Sequence, residues 1–383
     1  LAHVAGPAVF GELLSQLVRQ RPHGPVVPLR VLHDEEVREA GDLVAALAQR
    51  RHGRLDDLQA VVQILAEIAA QHHLLEVAVR RRDDAHVDVD LLVAAKLGEL
   101  GVLEAGRRLL RGSGITTYLV DTGLPGDLTG PGELASTGAA QAREIVRLEL
   151  LAEQVADTSG TVDSFLANLA ESVHGAAHGA VAFTSVAGVR AGEALACEPP
   201  GPGEVRGAAG RWLAGRQVGG ELADPVLLRH LLWIAVASGL PLQLHTGAAD
   251  PQCSFGDFAR ATAGLGTDLV LLHGYPHHRA AAHLAGVFPH VYADLGSALV
   301  RTGARATAVL AEILELAPFG KLLFSSGAQG LPELHVVGAQ LFREALGRVL
   351  GTWVAEGAWS LTDAQRVAGL IAAGNARRVY GLD

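Results

Sequence analysis

Two histidines stand at the ends of apolar, strand-like runs, where side chains of these types could do chemistry together. His245 lies at the end of the run Leu240–Thr246, and His273 lies within the run Asp268–Tyr275. A single histidine in such a place is usually a hydrogen-bonded structural residue. Two at corresponding positions on neighbouring strands can share a cavity and act on one ligand. We therefore expect His245 and His273 to face a common site.

Other polar residues close similar runs and have simpler alternatives. Asp121 and Glu149 could face the same rim, but Asp121 precedes a Thr-Gly-Leu-Pro-Gly sequence and could equally organise a turn. Arg147 and Glu149 alternate along one strand face and could pair with each other. The Ser325–Ser326 pair lacks the Gly-x-Ser-x-Gly context of a nucleophile elbow, which argues against a serine hydrolase. His277 and His278 are expected to begin a helix.

The elements that would position these residues form a regular series. Strand-like runs alternate with helical stretches, which predicts βα units and a parallel barrel whose active groups lie where the strands end. The runs are Ile115–Asp121, Glu144–Glu149, Ala180–Ser185, Leu240–Thr246, Asp268–Tyr275, His290–Gly296 and Lys321–Gly327. Within this series, the prolines and glycines of Cys197–Gly210 predict a loop. Apolar spacing predicts a closing helix over Asp363–Arg378.

The N-terminal segment differs from the rest of the chain. Residues 1–95 are dense in histidine, arginine and aspartate, and apolar spacing predicts a helix over Leu55–Leu75. We divide the chain into an atypical, mostly helical segment of unknown role, residues 1–95, and a barrel, residues 96–383. If residues 1–95 supply no first strand, the barrel is incomplete and exposes two unpaired edges, and we would expect poor solubility or edge-to-edge association.

Composition narrows the class of protein. The chain of 383 residues is 49% hydrophobic, which is enough for a large α/β core. A net charge of −10 without a basic block argues against nucleic acid or an anionic membrane as partner. The two cysteines, Cys197 and Cys253, make no disulfide framework. With no signal sequence and no apolar run of spanning length, a cytoplasmic protein is expected.

From about Leu97 to Asp383 the chain resembles the amidohydrolase-related family, in particular the branch fused to glutamine-synthetase-like domains. Each matching stretch is weak alone, but together and in this order they are specific for the fold. The stretches are QLHTG at Gln243–Gly247, LLHGYPHHR at Leu271–Arg279, FPHVYADLG at Phe288–Gly296, LLFSSGAQGLPELHVVGAQLFREAL at Leu322–Leu346 and GNARRVYGL at Gly374–Leu382.

The resemblance implies a (β/α)8 barrel, of the TIM-barrel type, with one or two divalent metals, zinc or manganese, at the C-terminal strand ends. It also implies a set of metal ligands: an HxH pair after the first strand, a lysine or carboxylate after the fourth, histidines after the fifth and sixth, and an aspartate after the eighth. His245 and His273 match the fifth-strand and sixth-strand positions. They are the predicted metal-binding residues.

The remaining positions depart from this pattern. Thr184 stands at the fourth-strand position and Gly327 at the eighth, and no HxH pair occurs anywhere in the sequence. Two N-terminal stretches could replace the pair: Val26–Asp34, which ends in a histidine and an aspartate, and Asp84–Asp90, whose His86, Asp88 and Asp90 would share one strand face. A solvated polar surface is the simpler interpretation of both.

Two hypotheses about function remain. In the first, the protein is a metal-dependent hydrolase that acts on a C–N bond of a small amide, with an impaired site. In the second, it is a pseudoenzyme, an inactive barrel that serves as a binding or structural protein. The missing ligands favour the second and the resemblance favours the first.

Overall fold

The computed structural model describes residues 2–5, 102–123, 129–192, 195–246, 251–328 and 331–382. The N-terminal predictions, namely the helix Leu55–Leu75 and the substitute ligand stretches Val26–Asp34 and Asp84–Asp90, lie outside these residues. No helix of the described part has the length and apolarity to cross a membrane.

One eight-stranded sheet organises the described residues. Strands β2 to β8 are parallel and follow one another in chain order, and the short β1 pairs antiparallel with β2. The predicted α/β barrel is confirmed as a curled, TIM-barrel-like sheet, and its first position is filled by β1. The strands are β1 (Ala2–Ala5), β2 (Ile115–Asp121), β3 (Gln141–Arg147), β4 (Ala182–Ser185), β5 (Leu242–His245), β6 (Leu269–Leu272), β7 (Val291–Asp294) and β8 (Leu322–Leu323).

Helices surround this sheet, and short 3-10 turns cover Gly303–Arg305 and Phe319–Lys321. A π-helical turn at Leu370–Gly374 precedes the last helix. The α-helices are α1 (Val102–Gly112), α2 (Pro131–Gly138), α3 (Leu148–Thr158), α4 (Val162–Ala177), α5 (Ala187–Ala191), α6 (Pro202–Gly215), α7 (Pro225–Ser238), α8 (Pro251–Thr262), α9 (His278–Val287), α10 (Gly296–Thr302), α11 (Ala306–Leu314), α12 (Pro332–Ala355), α13 (Leu361–Gly369) and α14 (Asn375–Tyr380).

The unit α7–β5, which positions one of the two histidines, shows how the sequence sets these elements. Asp224 caps α7 by accepting hydrogen bonds from the backbone N–H groups of Val226 and Leu227. Gly239 ends the helix in the left-handed region, at φ 76°, which glycine adopts without strain. The apolar run then continues as the buried strand β5.

The C-terminal segment closes one end of the barrel lumen. Ala373, Ala376 and Tyr380 pack in one apolar cluster with lumen residues of six strands. The side-chain amide of Gln243, on β5, donates a hydrogen bond of 2.8 Å to the Tyr380 hydroxyl. The segment Leu370–Tyr380 also contacts both β1 and β8. It therefore lies across the two ends of the sheet, and we call it the closing segment.

Candidate functional site

Alternation along the strands brings five polar side chains to one end of the lumen. Each lies two residues after a lumen residue on the same strand, so it faces the same way at the C-terminal end of that strand. These residues are Asp121 after Leu119, Arg147 after Ile145, Thr184 after Ala182, His245 after Gln243, and Asp294 after Tyr292. We call this set the rim.

His245 and His273 lie side by side at the rim. The two ring centroids are 4.8 Å apart, with the ring planes inclined by 53°. His273 follows β6 with a left-handed backbone, at φ 61°, which is uncommon for a residue with a side chain. His245 Nε2 lies 3.1 Å from the Thr184 hydroxyl on the neighbouring strand. The structure thus brings the two predicted residues together.

Both imidazoles are held neutral by their surroundings. Burial lowers the pKa of His245 well below its usual value, and the nearby His273 and Arg147 lower that pKa further. Burial also lowers the pKa of His273 to about 4. The His273 Nδ1 is buried and has no hydrogen-bond partner. A neutral imidazole with an unpaired nitrogen has the chemical form of a metal ligand or a proton acceptor.

Arg147 forms an ion pair across two strands with Asp121, and both side chains are almost fully buried. The other oxygen of Asp121 accepts a hydrogen bond of 2.9 Å from the backbone N–H of Gly123, so Asp121 both organises a turn and faces the rim. The predicted pairing of Arg147 with Glu149 is wrong, because β3 ends at Arg147. Glu149 lies in the first turn of α3 and accepts hydrogen bonds from the Ser185 hydroxyl and a backbone N–H.

Asp294 is a rim residue that the sequence analysis did not single out. One carboxylate oxygen accepts hydrogen bonds from the Ser325 hydroxyl, at 2.9 Å, and from the backbone N–H of Gly296, at 3.2 Å. The other oxygen is buried and unpartnered. Burial raises the pKa of Asp294 to about 6. Its place two residues after the buried Tyr292 was the available signal, because that spacing puts it on the lumen face.

The described residues fit a divalent metal only in part. His245 and His273 offer neutral imidazoles, one with an unpaired buried nitrogen. Thr184 is a weak ligand whose hydroxyl already bonds His245. Gly327 has no side chain. Within the described ranges no group of three or more His, Cys, Asp or Glu side chains is arranged to hold a metal. A catalytic zinc site uses three protein ligands, so the described set is incomplete.

The remaining candidates lie away from the rim. His278 begins α9, as predicted, and its Nε2 lies 2.9 Å from a carboxylate oxygen of Glu312 on α11. The Ser326 hydroxyl lies 3.2 Å from Nδ1 of His335 on α12, and both side chains are buried. Because Ser326 alternates with the rim-side Ser325, this pair joins the sheet to the helix layer and does not face the lumen.

Comparison with known proteins identifies one family. The model of the amidohydrolase family matches residues 68–382. The match begins earlier than the resemblance seen in the sequence and includes part of the N-terminal segment. Protein fluG of Emericella nidulans is 34% identical over 151 residues, which cover 37% of this chain and 18% of fluG. The match thus spans about a fifth of the length of that curated relative.

Solved structures share the fold. A protein of Lactobacillus casei ATCC 334, named as a candidate metal-dependent hydrolase, superposes with a TM-score of 0.68 at 23% identity, covering 99% of this chain and 93% of its own. Uronate isomerase of Thermotoga maritima gives 0.55 at 13% identity, covering 99% and 98%. Glucuronate isomerase of Caulobacter crescentus gives 0.57 at 14%, covering 100% and 92%. At these identities the likeness concerns the fold.

Proposed function

Because the chain belongs to the amidohydrolase family, we propose that it hydrolyses a C–N bond of a small amide with the help of a divalent metal, zinc or manganese, at an impaired site. The pair of neutral imidazoles at the rim carries this proposal. They stand at the ends of neighbouring parallel strands, where barrel enzymes place their catalytic groups.

His245 and His273 would hold the metal, which when bound would polarise the substrate carbonyl. The protein's own residues would do the rest. The Thr184 hydroxyl fixes the orientation of the His245 ring. The free oxygen of Asp294, whose pKa is raised to about 6, is suited to accept a proton from water and return it to the leaving nitrogen.

Metal content tests this proposal. We would measure zinc and manganese in the purified protein by elemental analysis, with and without added ions, and screen small amides for hydrolysis. The double variant His245→Ala/His273→Ala should lose the metal and any turnover. His290→Ala is a matched control, because His290 also has a buried, unpartnered Nδ1 but precedes β7 at the opposite end of the barrel. Loss of metal in the control as well would contradict the proposed site.

A second candidate function is that of an inactive barrel that binds a small molecule or a partner. Thr184 and Gly327 favour it, because both stand where the family pattern has metal ligands. If this candidate is correct, the purified protein contains no metal, and neither added ions nor the His245→Ala/His273→Ala change alters its metal content. No amide is hydrolysed. Stoichiometric metal in the purified protein would exclude the inactive barrel.

A further inference from the structure

The rim contains a permanent positive charge close to the two histidines. Arg147 ends β3 with its side chain only 10% exposed, and a guanidinium stays protonated at any physiological pH. In the sheet register Arg147 is the direct neighbour of Thr184. The Thr184 hydroxyl bonds His245, whose ring adjoins that of His273. Arg147 and the histidine pair are therefore parts of one continuous stretch of the lumen wall.

The charge of Arg147 reaches both imidazoles. After burial, which is the largest cause, Arg147 is among the groups that lower the pKa of His245 and that of His273. Its ion-pair partner Asp121 is on β2, so Arg147 is one strand nearer to β5 and β6 than the carboxylate is. The positive member of the ion pair is therefore the one on the side of the histidines.

We propose that Arg147 is the resident cation of the lumen and that it keeps the affinity of the His245–His273 pair for a divalent metal low. The proposal rests on the placement of that metal under the proposed function. A divalent ion beside these rings would place two further positive charges close to the Arg147 guanidinium in a poorly solvated space. Arg147 therefore accounts for an impaired site independently of the missing ligands.

The test is the metal affinity of a variant without the ion pair. Asp121→Asn/Arg147→Met removes both charges, so that no unpaired carboxylate is left to act as a new ligand. We expect isothermal titration with zinc chloride to show binding at least about tenfold tighter than in the wild type, because the positive charge is the nearer of the two removed charges to the histidines. Adding His245→Ala to this variant should abolish the gain.

Asp157→Asn/Arg216→Met is the matched control. Arg216 is a buried arginine whose Nε is also unpartnered, and it pairs with Asp157 outside the lumen. This control should leave zinc affinity unchanged. If circular dichroism shows that Asp121→Asn/Arg147→Met is unfolded, Asp121→Asn/Arg147→Gln takes its place, since its two amide side chains can hydrogen-bond to each other without a charge, and it should show the same gain.

Each outcome decides the inference separately from the proposed function. Tight, stoichiometric zinc in the wild type would overturn the role of Arg147 while supporting the metal-dependent hydrolase. No binding in either protein would also overturn it, because the charge would not then limit affinity. A gain that survives His245→Ala would place the metal elsewhere and overturn it as well. A gain that depends on His245 supports it, whether or not any amide is hydrolysed.

Discussion

The two carboxylate oxygens of the rim residue Asp294 differ in their hydrogen bonding. One accepts two hydrogen bonds, whereas the other is buried without a partner. Such a group favours its protonated form, because an ionised oxygen buried without a partner is poorly solvated. Ionisation of Asp294 therefore destabilises the folded state, and this effect depends on pH.

Replacing Asp294 with asparagine should remove this cost. Burial raises the pKa of Asp294 to about 6 from the ordinary value of 3.8. The folded carboxyl therefore holds its proton more tightly than the unfolded one, so its contribution to stability is full below about pH 4 and is lost as pH rises through about 6. We would measure the free energy of unfolding in urea for Asp294→Asn and for the wild type. The difference in favour of the variant should grow by on the order of 3 kcal/mol from about pH 4 to pH 7.

Asp157→Asn is the control for this measurement. The hydrogen bond from Arg216 lowers the pKa of Asp157, so the sign is reversed, and this variant should gain no stability over the same range. If the free energy of unfolding of Asp294→Asn has the same pH dependence as that of the wild type, Asp294 is ionised in the folded protein and the prediction fails.

Gly327 offers a second test at the scale of one residue. Its φ of 63° is left-handed, which aspartate tolerates better than most residues. A Cβ there would lie 3.6 Å from the Ser297 backbone, an ordinary contact distance. Gly327→Asp should therefore fold and raise zinc affinity, measured by titration. Gly327→Ala has the same backbone strain without the carboxylate and should show no gain.

Among the elements, the closing segment has the clearest energetic role. Its Tyr380 hydroxyl is the hydrogen-bond acceptor for the buried side-chain amide of Gln243. Tyr380→Phe should destabilise the fold by about 1–3 kcal/mol, because that amide would be left buried and unsatisfied. Urea unfolding measures the change. The double variant Gln243→Leu/Tyr380→Phe should recover part of the loss, and an equal loss in the double variant would contradict this explanation.

The strand-like run predicted over Leu240–Thr246 contains β5, Leu242–His245. The residues that set the preceding helix are also visible in the sequence, because Asp224, Pro225 and Gly239 mark its ends. The loop predicted over Cys197–Gly210 extends only to Gly201, since α6 begins at Pro202, a residue that is favourable in the first turn of a helix. The strand Glu144–Glu149 was placed too late, because Leu148 and Glu149 already belong to α3.

The candidate site was predictable in part. His245 and His273 could be found from their positions at the ends of apolar runs. Asp294 could have been found from strand alternation. The ion pair between Arg147 and Asp121 could not, because it depends on which face of β3 turns inward, and this follows from the register with β2 and β4. The assignment of residues 1–95 as a separate segment remains a prediction.

At the scale of the whole molecule, β1 decides whether the edge of β2 is exposed. Ala2–Ala5 pairs with most of that edge, from Ile115 to Leu119. Val4→Pro should disrupt this pairing, because proline lacks the N–H that a strand ladder needs. We expect the variant to self-associate at micromolar concentration in size-exclusion chromatography with light scattering, whereas Val4→Ala should match the wild type. A monomeric Val4→Pro protein would show that β1 does not protect the edge.

The closing segment has a mechanical consequence. Along the wall from β1 to β8, main-chain hydrogen bonds hold neighbouring strands at a fixed spacing of about 4.8 Å. Among the described residues, β1 and β8 are instead linked by their contacts with Leu370–Tyr380. This seam between β1 and β8 is therefore the part of the described wall that main-chain hydrogen bonds restrain least.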